Sequence, residues 1–255
     1  MDNPTITYIS FDFREKNNIV GYNENNPLAD SRVRKAIYQA INIDEMLNNS
    51  QINSNSSQFV TPLVFGYNPN ITRLAYNIEN ARQLMKDAGY ENGFNVTFDY
   101  SYNVFPKKTI DFIKNELSEI NITIAPVALS YDEYISKLVT NNVSIYINCW
   151  TIGTGDSGEI YDYLIGTKNE EKDIGFFNAG FYSNPEVDRL GENASLCMNT
   201  IDRLKLLQEC FEIAMNDVAW IPLFTWKITW GVNNHFIWKP RADQQILVED
   251  IANNI

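Results

Sequence analysis

Histidine is almost missing from this sequence: His235 is the only one among 255 residues. It stands in "GVNNHFIW" with no nucleophile, acid or metal ligand clustered near it, so it reads as a solvated loop residue. Triad chemistry therefore has no base to work with. Cysteine is scarce too. Cys149, Cys197 and Cys210 form an odd set without CxxC spacing, which fits neither a zinc site nor an even disulfide framework. Each sits among apolar neighbours and reads as a buried small hydrophobe. No apolar run approaches the ~20 residues a spanning helix needs. The opening "MDNPTITYISFDF" lacks the basic start and apolar stretch of a signal peptide, which leaves two readings: a cytosolic protein, or an internal piece behind an added Met1. Positive charge is in deficit, with 20 Lys and Arg against 32 Asp and Glu for a net −12. Such a surface repels phosphate backbones, so nucleic acid is excluded as a partner. HExxH, G-x-S-x-G and a P-loop are all lacking, and "GTG" at Gly153–Gly155 is too short for a dinucleotide fingerprint. No enzyme and no cofactor is expected.

What is present is the alternation of an α/β protein. "TITYISFDF" reads as a strand. Asp30 caps a helix with Val33, Ala36, Ile37, Ala40 and Ile41 inward, and Arg32, Arg34 and Lys35 on the other face. "NNSQINSNSSQ" reads as a polar loop. Asn77 opens a short helix that Gly89 stops. "FNVTFDY", a helix from Pro106, "NITIAPVAL", a helix capped by Ser130 and Glu133, and "VSIYINCW" then give β-α-β-α-β. Pro126 marks its strand as an edge or the site of a bulge. That order calls for right-handed parallel crossovers, with ligands beyond the carboxyl ends of the strands. Asn184 and Pro185 start one later helix, Thr200 caps another with Ile201, Leu204, Leu207, Phe211 and Ala214 inward, and "WIPLFTWKITWGV" is an aromatic strand.

The stretch "NCWTIGTGDSGEIYD" lies at the end of such a strand. Trp150 there can pack on the sheet edge or wall a ligand site, where its flat face gives large contact area at small entropic cost. Asp156 and Glu159 can do acid–base work or hold a cation; Asp-x-x-Glu before an apolar run is equally the start of a capped helix.

Four blocks carry a resemblance: "YISFDF" with "NPLADSRVRKAIYQAINIDEML"; "YNIENARQLMKDAGYENGFNVTF"; "NCWTIGTGDSGEIYDYL"; and "FYSNPEVDRL" through "TIDRLKLLQECFEIAMNDVAWIPLF". In this order, from about Tyr8 to Phe224, the chain resembles the second lobe of the family 5 extracellular solute-binding proteins, which serve dipeptide, oligopeptide and nickel ABC importers. The resemblance implies a periplasmic-binding-protein-like (type II) lobe, a mixed and mainly parallel sheet flanked by helices. It implies a fragment: one lobe, with hinge or first-lobe stubs at about 1–12 and 228–255 that fray, and the N-terminal lobe of the parent absent. The parent would be extracytoplasmic, lipid-anchored and monomeric, with a peptide-like solute, the importer's permease subunits and its own missing lobe as partners. A nickel chelate or other small solute is the alternative, as is a sensor module of a regulator.

In peptide-binding members an aspartate just after the tryptophan holds the peptide's amino group. Here Gly153 falls at that place, and the family's Asp-Pro is Asp156–Ser157, which puts amine recognition in doubt. By resemblance the ligand-binding residues are Trp150 as cleft wall, Thr151 and the Gly153–Asp156 backbone as polar lining, and Tyr161 and Trp226 beside them; no metal ligand is implied.

Overall fold

In the computed structural model, which describes residues 2–16, 25–48, 53–241 and 245–253, one sheet is built from β1 (Asp2–Phe11), β2 (Asn53–Asn55), β3 (Phe94–Ser101), β4 (Ile122–Leu129), β5 (Ile145–Thr151) and β6 (Trp220–Lys227), in the order β2-β6-β1-β5-β3-β4. The sheet is mixed, as expected for this α/β lobe. Its parallel part is β5–β3–β4, and β1, β6 and β2 add antiparallel pairings. β4, with Pro126, is indeed an edge.

The helices are α1 (Ser31–Ala40), α2 (Ile43–Met46), α3 (Ile78–Asp87), α4 (Lys107–Ser118), α5 (Tyr131–Val139), α6 (Gly158–Ile160), α7 (Pro185–Leu196) and α8 (Thr200–Asn216), with a π-helical turn at Tyr161–Ile165. The β3–α4–β4 unit steps outward and β4–α5–β5 steps back across β3. Right-handed crossovers in opposite directions place α4 and α5 on opposite faces. α1 packs on α3 and α4, while Lys137 of α5 reaches Asp99 across β3. The result is three layers around a core that includes Tyr8 stacked on Trp220 at 3.8 Å and Phe59 edge-on to Trp220.

Several expectations need correction. Residues 2–11, expected to fray, are ordered: β1 is hydrogen-bonded on both sides, and its Ile6, Tyr8, Ile9 and Phe11 are buried. A strand apolar on both faces belongs in the middle of a sheet. The Asn/Ser loop contains a strand, β2, because an edge position beside β6 supplies the ladder bonds that its own polar residues would not attract; residues 49–52 of that loop lie outside the described residues. Asn199, not Thr200, caps α8, and Ile201 is 67% exposed since it falls in the first turn beyond the packed stripe. Cys149 and Cys197 are half-buried; Cys210 alone of the three is buried. Residues 228–241 and 245–253 are largely exposed and carry a two-stranded ladder of β7 (Phe236–Ile237) and β8 (Ala252–Asn253).

The largest departure is Arg34. It is 4% exposed rather than on the solvent face. Its Nη1 donates to the carbonyls of Leu28 and Ala29, its Nε to that of Val218 and its Nη2 to that of Asp217, and the guanidinium lies 4.4 Å over the Phe13 ring. Burial pushes its pKa down to about 10. The planar fork of donors makes such burial tolerable, and it ties α1 to the turn that follows α8.

Candidate functional site

The strand directions bring four termini to one end of the sheet: the start of β1, the ends of β5 and β6, and the start of β2. There Thr5 lies opposite Thr151, and their hydroxyls meet at 2.7 Å. Thr5 also gives its N–H and its hydroxyl to Asn3 Oδ1. Trp150 stands one residue further in, opposite Ile6.

Trp150 is half-buried, with the rings of Tyr163 and Phe177 at 5.7 and 5.6 Å. Its indole Nε1 donates to Glu159 Oε1 at 2.8 Å. The other oxygen, Oε2, accepts from the Thr154 hydroxyl at 2.9 Å and its N–H at 3.2 Å. One carboxylate at the start of α6 thus fixes both the indole and the loop between them. Asp156 has a different occupation. Its Oδ1 accepts from Gly158 N–H at 2.8 Å, and Arg203 of α8 binds it through Nη2 at 2.9 Å and Nε at 3.3 Å. Asp156 thus holds the first N–H of α6 from the residue before its N-cap, Ser157, and is itself held by a fork-like ion pair. Phe65 N–H donates to Gly155 O, and Ser157 N–H donates back to Phe65 O, so the loop is also docked on the neighbouring turn. Behind it, burial raises the pKa of the Asp162 carboxyl, while Arg203 pulls it down.

The expected site residues therefore separate. Trp150, Thr151 and Gly153 gather at the open end of β5, and a side chain at Gly153 would meet open space. Tyr161 does not join them. It is 1% exposed, and its ring lies so close over Gly191 that any Cβ there would collide with it, at 2.3 Å. It supports the loop from beneath, and burial raises its phenol well above the ordinary range. Trp226 donates its Nε1 to Thr7 Oγ1 at 2.9 Å. Thr7 and Ile6 point to opposite faces, so the two tryptophans flank the sheet end from opposite sides. Sequence reasoning missed Arg203 and did not connect Glu159 to Trp150; the nine-residue interval between them was the available signal. Among the described residues no group of three His, Cys, Asp or Glu is placed to hold a metal.

Residues 2–172 match the model of the bacterial extracellular solute-binding proteins, family 5, in its middle region. The chain belongs to this family. Curated relatives of this family 5 chain include heme-binding protein A of Haemophilus influenzae, 27% identical over 207 residues, covering 78% of this chain and 37% of the relative. Another is the glutathione-binding protein GsiB of Escherichia coli K12, 24% identical over 209 residues, covering 79% and 40%. The chain thus spans well under half the length of these relatives. Solved structures with the same fold include DppA of Helicobacter pylori in complex with the peptide STSA (TM-score 0.76, 22% identity, 88% of this chain and 42% of that one). HbpA2 of Haemophilus parasuis superposes over the whole chain (TM-score 0.83, 18% identity, 100% and 49%).

Proposed function

We propose that this family 5 chain is one lobe of a two-lobed, extracytoplasmic receptor of an ABC importer, and that it grips a peptide-like solute at the Trp150 rim without chemical change. The observation that carries this is the indole of Trp150: held by Glu159 through its N–H, yet half-exposed at the open end of a sheet. A preset aromatic surface is what a capture site needs, because the ordering cost is met before the solute arrives. The carboxylates of the loop support binding over catalysis, since Asp156 and Glu159 are both engaged in holding the loop. The second lobe of the clamp, contributed by the remainder of a longer parent, would close over the solute and present the closed form to permease subunits. In this reading the parent is a lipid-anchored monomer, and residues 228–241 and 245–253 belong to the return toward the missing lobe.

A metal chelate or other small solute is the second reading, favoured by the name of the heme-binding relative. Native mass spectrometry of the two-lobed parent, isolated from its host, separates the two: co-purified peptide masses support the first, a metal-chelate mass the second. In the same parent Trp150→Ala is expected to weaken solute binding about tenfold, or 1.4 kcal/mol. Unchanged affinity would make Trp150 a packing residue and remove the basis of the proposal.

A further inference from the structure

Trp150 does not stand alone at the rim. Tyr163 and Phe177 lie beside it, and Phe176 meets Phe177 edge-on at 4.8 Å. Tyr163 and Phe176 are 42% and 46% exposed, and Trp150 and Phe177 are half-buried. The group is held from its backbone. Phe177 N–H donates to Tyr163 O at 2.9 Å and Gly175 N–H to Asp162 O at 2.7 Å, while Glu159 holds the indole. Contiguous ring surface kept in water at a strand end is the mark of a surface meant to be covered. Charge is the second feature. Tyr163 also walls an open groove of about 520 Å³ together with Asp162, Asp173 and Leu196. Among the residues of that wall Lys172 is the one basic side chain, and it is paired with Glu192, so Asp162 and Asp173 have no cation there. Arg203 attracts Asp162 but is bonded to Asp156. Among the described residues the cation–π contacts fall on Phe13, Tyr38 and Phe181, and none on the four rings of the rim.

We infer that the rim at Tyr163 receives an organic cation of the solute, a quaternary ammonium or a guanidinium, with Trp150 and Tyr163 as its aromatic contacts and Asp162 as its counter-charge. The inference deepens the solute-binding reading of the same rim and rests on it. A cation within about 6 Å of a ring centroid is drawn to the ring face, and to Trp most strongly. The carboxylates answer its charge, and a chain of net charge −12 raises the concentration of cations around it. An anionic group is repelled by the same field. A bare metal ion needs a shell of oxygen ligands, and among the described residues no group of three acids, His or Cys is placed to supply one. A neutral apolar group would cover the rings but leave Asp162 and Asp173 without a partner.

The test titrates the 255-residue chain, read by heteronuclear NMR at the Trp150 indole N–H and the Tyr163 amide, with two matched pairs of probes. Choline is paired with its uncharged carbon isostere, dimethylbutanol, and N-acetylarginine amide with N-acetylcitrulline amide. Each pair keeps the shape and removes the charge. At least one cation is expected to shift both signals saturably, with its neutral partner ~5-fold weaker or more, and the pair that responds names the cation. Tyr163→Leu is expected to weaken that binding ~2–5-fold and Asp162→Asn about 2-fold, while Tyr163→Phe retains it. Three results overturn the inference: no saturable shift from either cation, a neutral partner that binds as well as its cation, or binding undiminished by Tyr163→Leu or by Asp162→Asn. If Trp150→Ala abolishes solute binding in the parent while neither cation binds this chain, the cation assignment falls and the receptor reading stands.

Discussion

The indole N–H of Trp150 and the carboxylate of Glu159 meet at 2.8 Å, which ties the end of β5 to the first turn after its own loop. The same carboxylate holds Thr154, so three points of the loop share one anchor. Glu159→Ala is expected to release the indole without unfolding the lobe. Hydrogen exchange at the Trp150 indole should accelerate, and the Thr154 amide should exchange faster with it. Global stability should fall by no more than about 1–2 kcal/mol, the scale of hydrogen bonds to a charged group. Unaltered indole exchange would show that the rings of Tyr163 and Phe177 hold Trp150 on their own.

Arg203 and Asp156 form the second anchor, with side chains 22% and 36% exposed. Partial exposure limits the pair to about 1 kcal/mol. Urea unfolding of Arg203→Ala, Asp156→Asn and the double variant should give a coupling energy of that order. Arg203→Lys should recover only part of it, because an ammonium cannot reproduce the two-pronged contact.

Arg34 is the costly position. Four backbone carbonyls accept from its guanidinium, and two of them, on Asp217 and Val218, come from the far end of the chain. Arg34→Met should destabilise the lobe by about 3–5 kcal/mol, because each buried carbonyl left without a donor costs about 1–3 kcal/mol. Denaturant melts would show this as a lowered midpoint at unchanged slope.

Buried Asp99 responds to pH. Burial raises its pKa above the ordinary 3.8, an effect opposed by its hydrogen bond and ion pair with Lys137. A carboxyl with a raised folded pKa binds its proton more tightly in the native state, so its contribution is fullest below 3.8 and is lost as pH rises through the folded value. The stability of the wild type relative to Asp99→Asn should therefore decline as pH increases from 3.8 toward neutrality. A relative stability that climbs over this window would mean that the Lys137 pairing outweighs burial.

The thiols should differ in reactivity. Burial pushes Cys149 up to about 11 and Cys210 up to about 12, which leaves little thiolate at pH 8. Cys197, at the end of α7, is half-buried like Cys149. A thiol-disulfide reagent at pH 8 should label Cys149 and Cys210 slowly in the native chain and all three cysteines quickly after unfolding; native rates equal to the unfolded ones would contradict the raised thiols of Cys149 and Cys210.

What was legible in the sequence was whatever is settled within a few residues. The caps at Asp30, Asn77, Ser130 and Asn184 are local hydrogen bonds, and all form. The β-α-β-α-β run follows from hydrophobic period alone. Arg34 was misplaced because helical spacing puts it beside Arg32 and Lys35, while its acceptors on Asp217 and Val218 lie 183 and 184 positions away. β2 was hidden because its residues are polar and its strand form is imposed by β6. At the site, the place of Trp150 at a strand end could be read. The commitment of Glu159 to it, and the burial of Tyr161 over Gly191, depend on how the loop folds back.

β1 is clasped between β5 and β6, and the Thr7–Trp226 bond joins positions 219 apart. This central strand therefore waits for a neighbour 219 positions further along the chain, and contacts of such range are slow to form. Until the Trp220–Lys227 segment is in place, one hydrogen-bonding edge of β1 stays open.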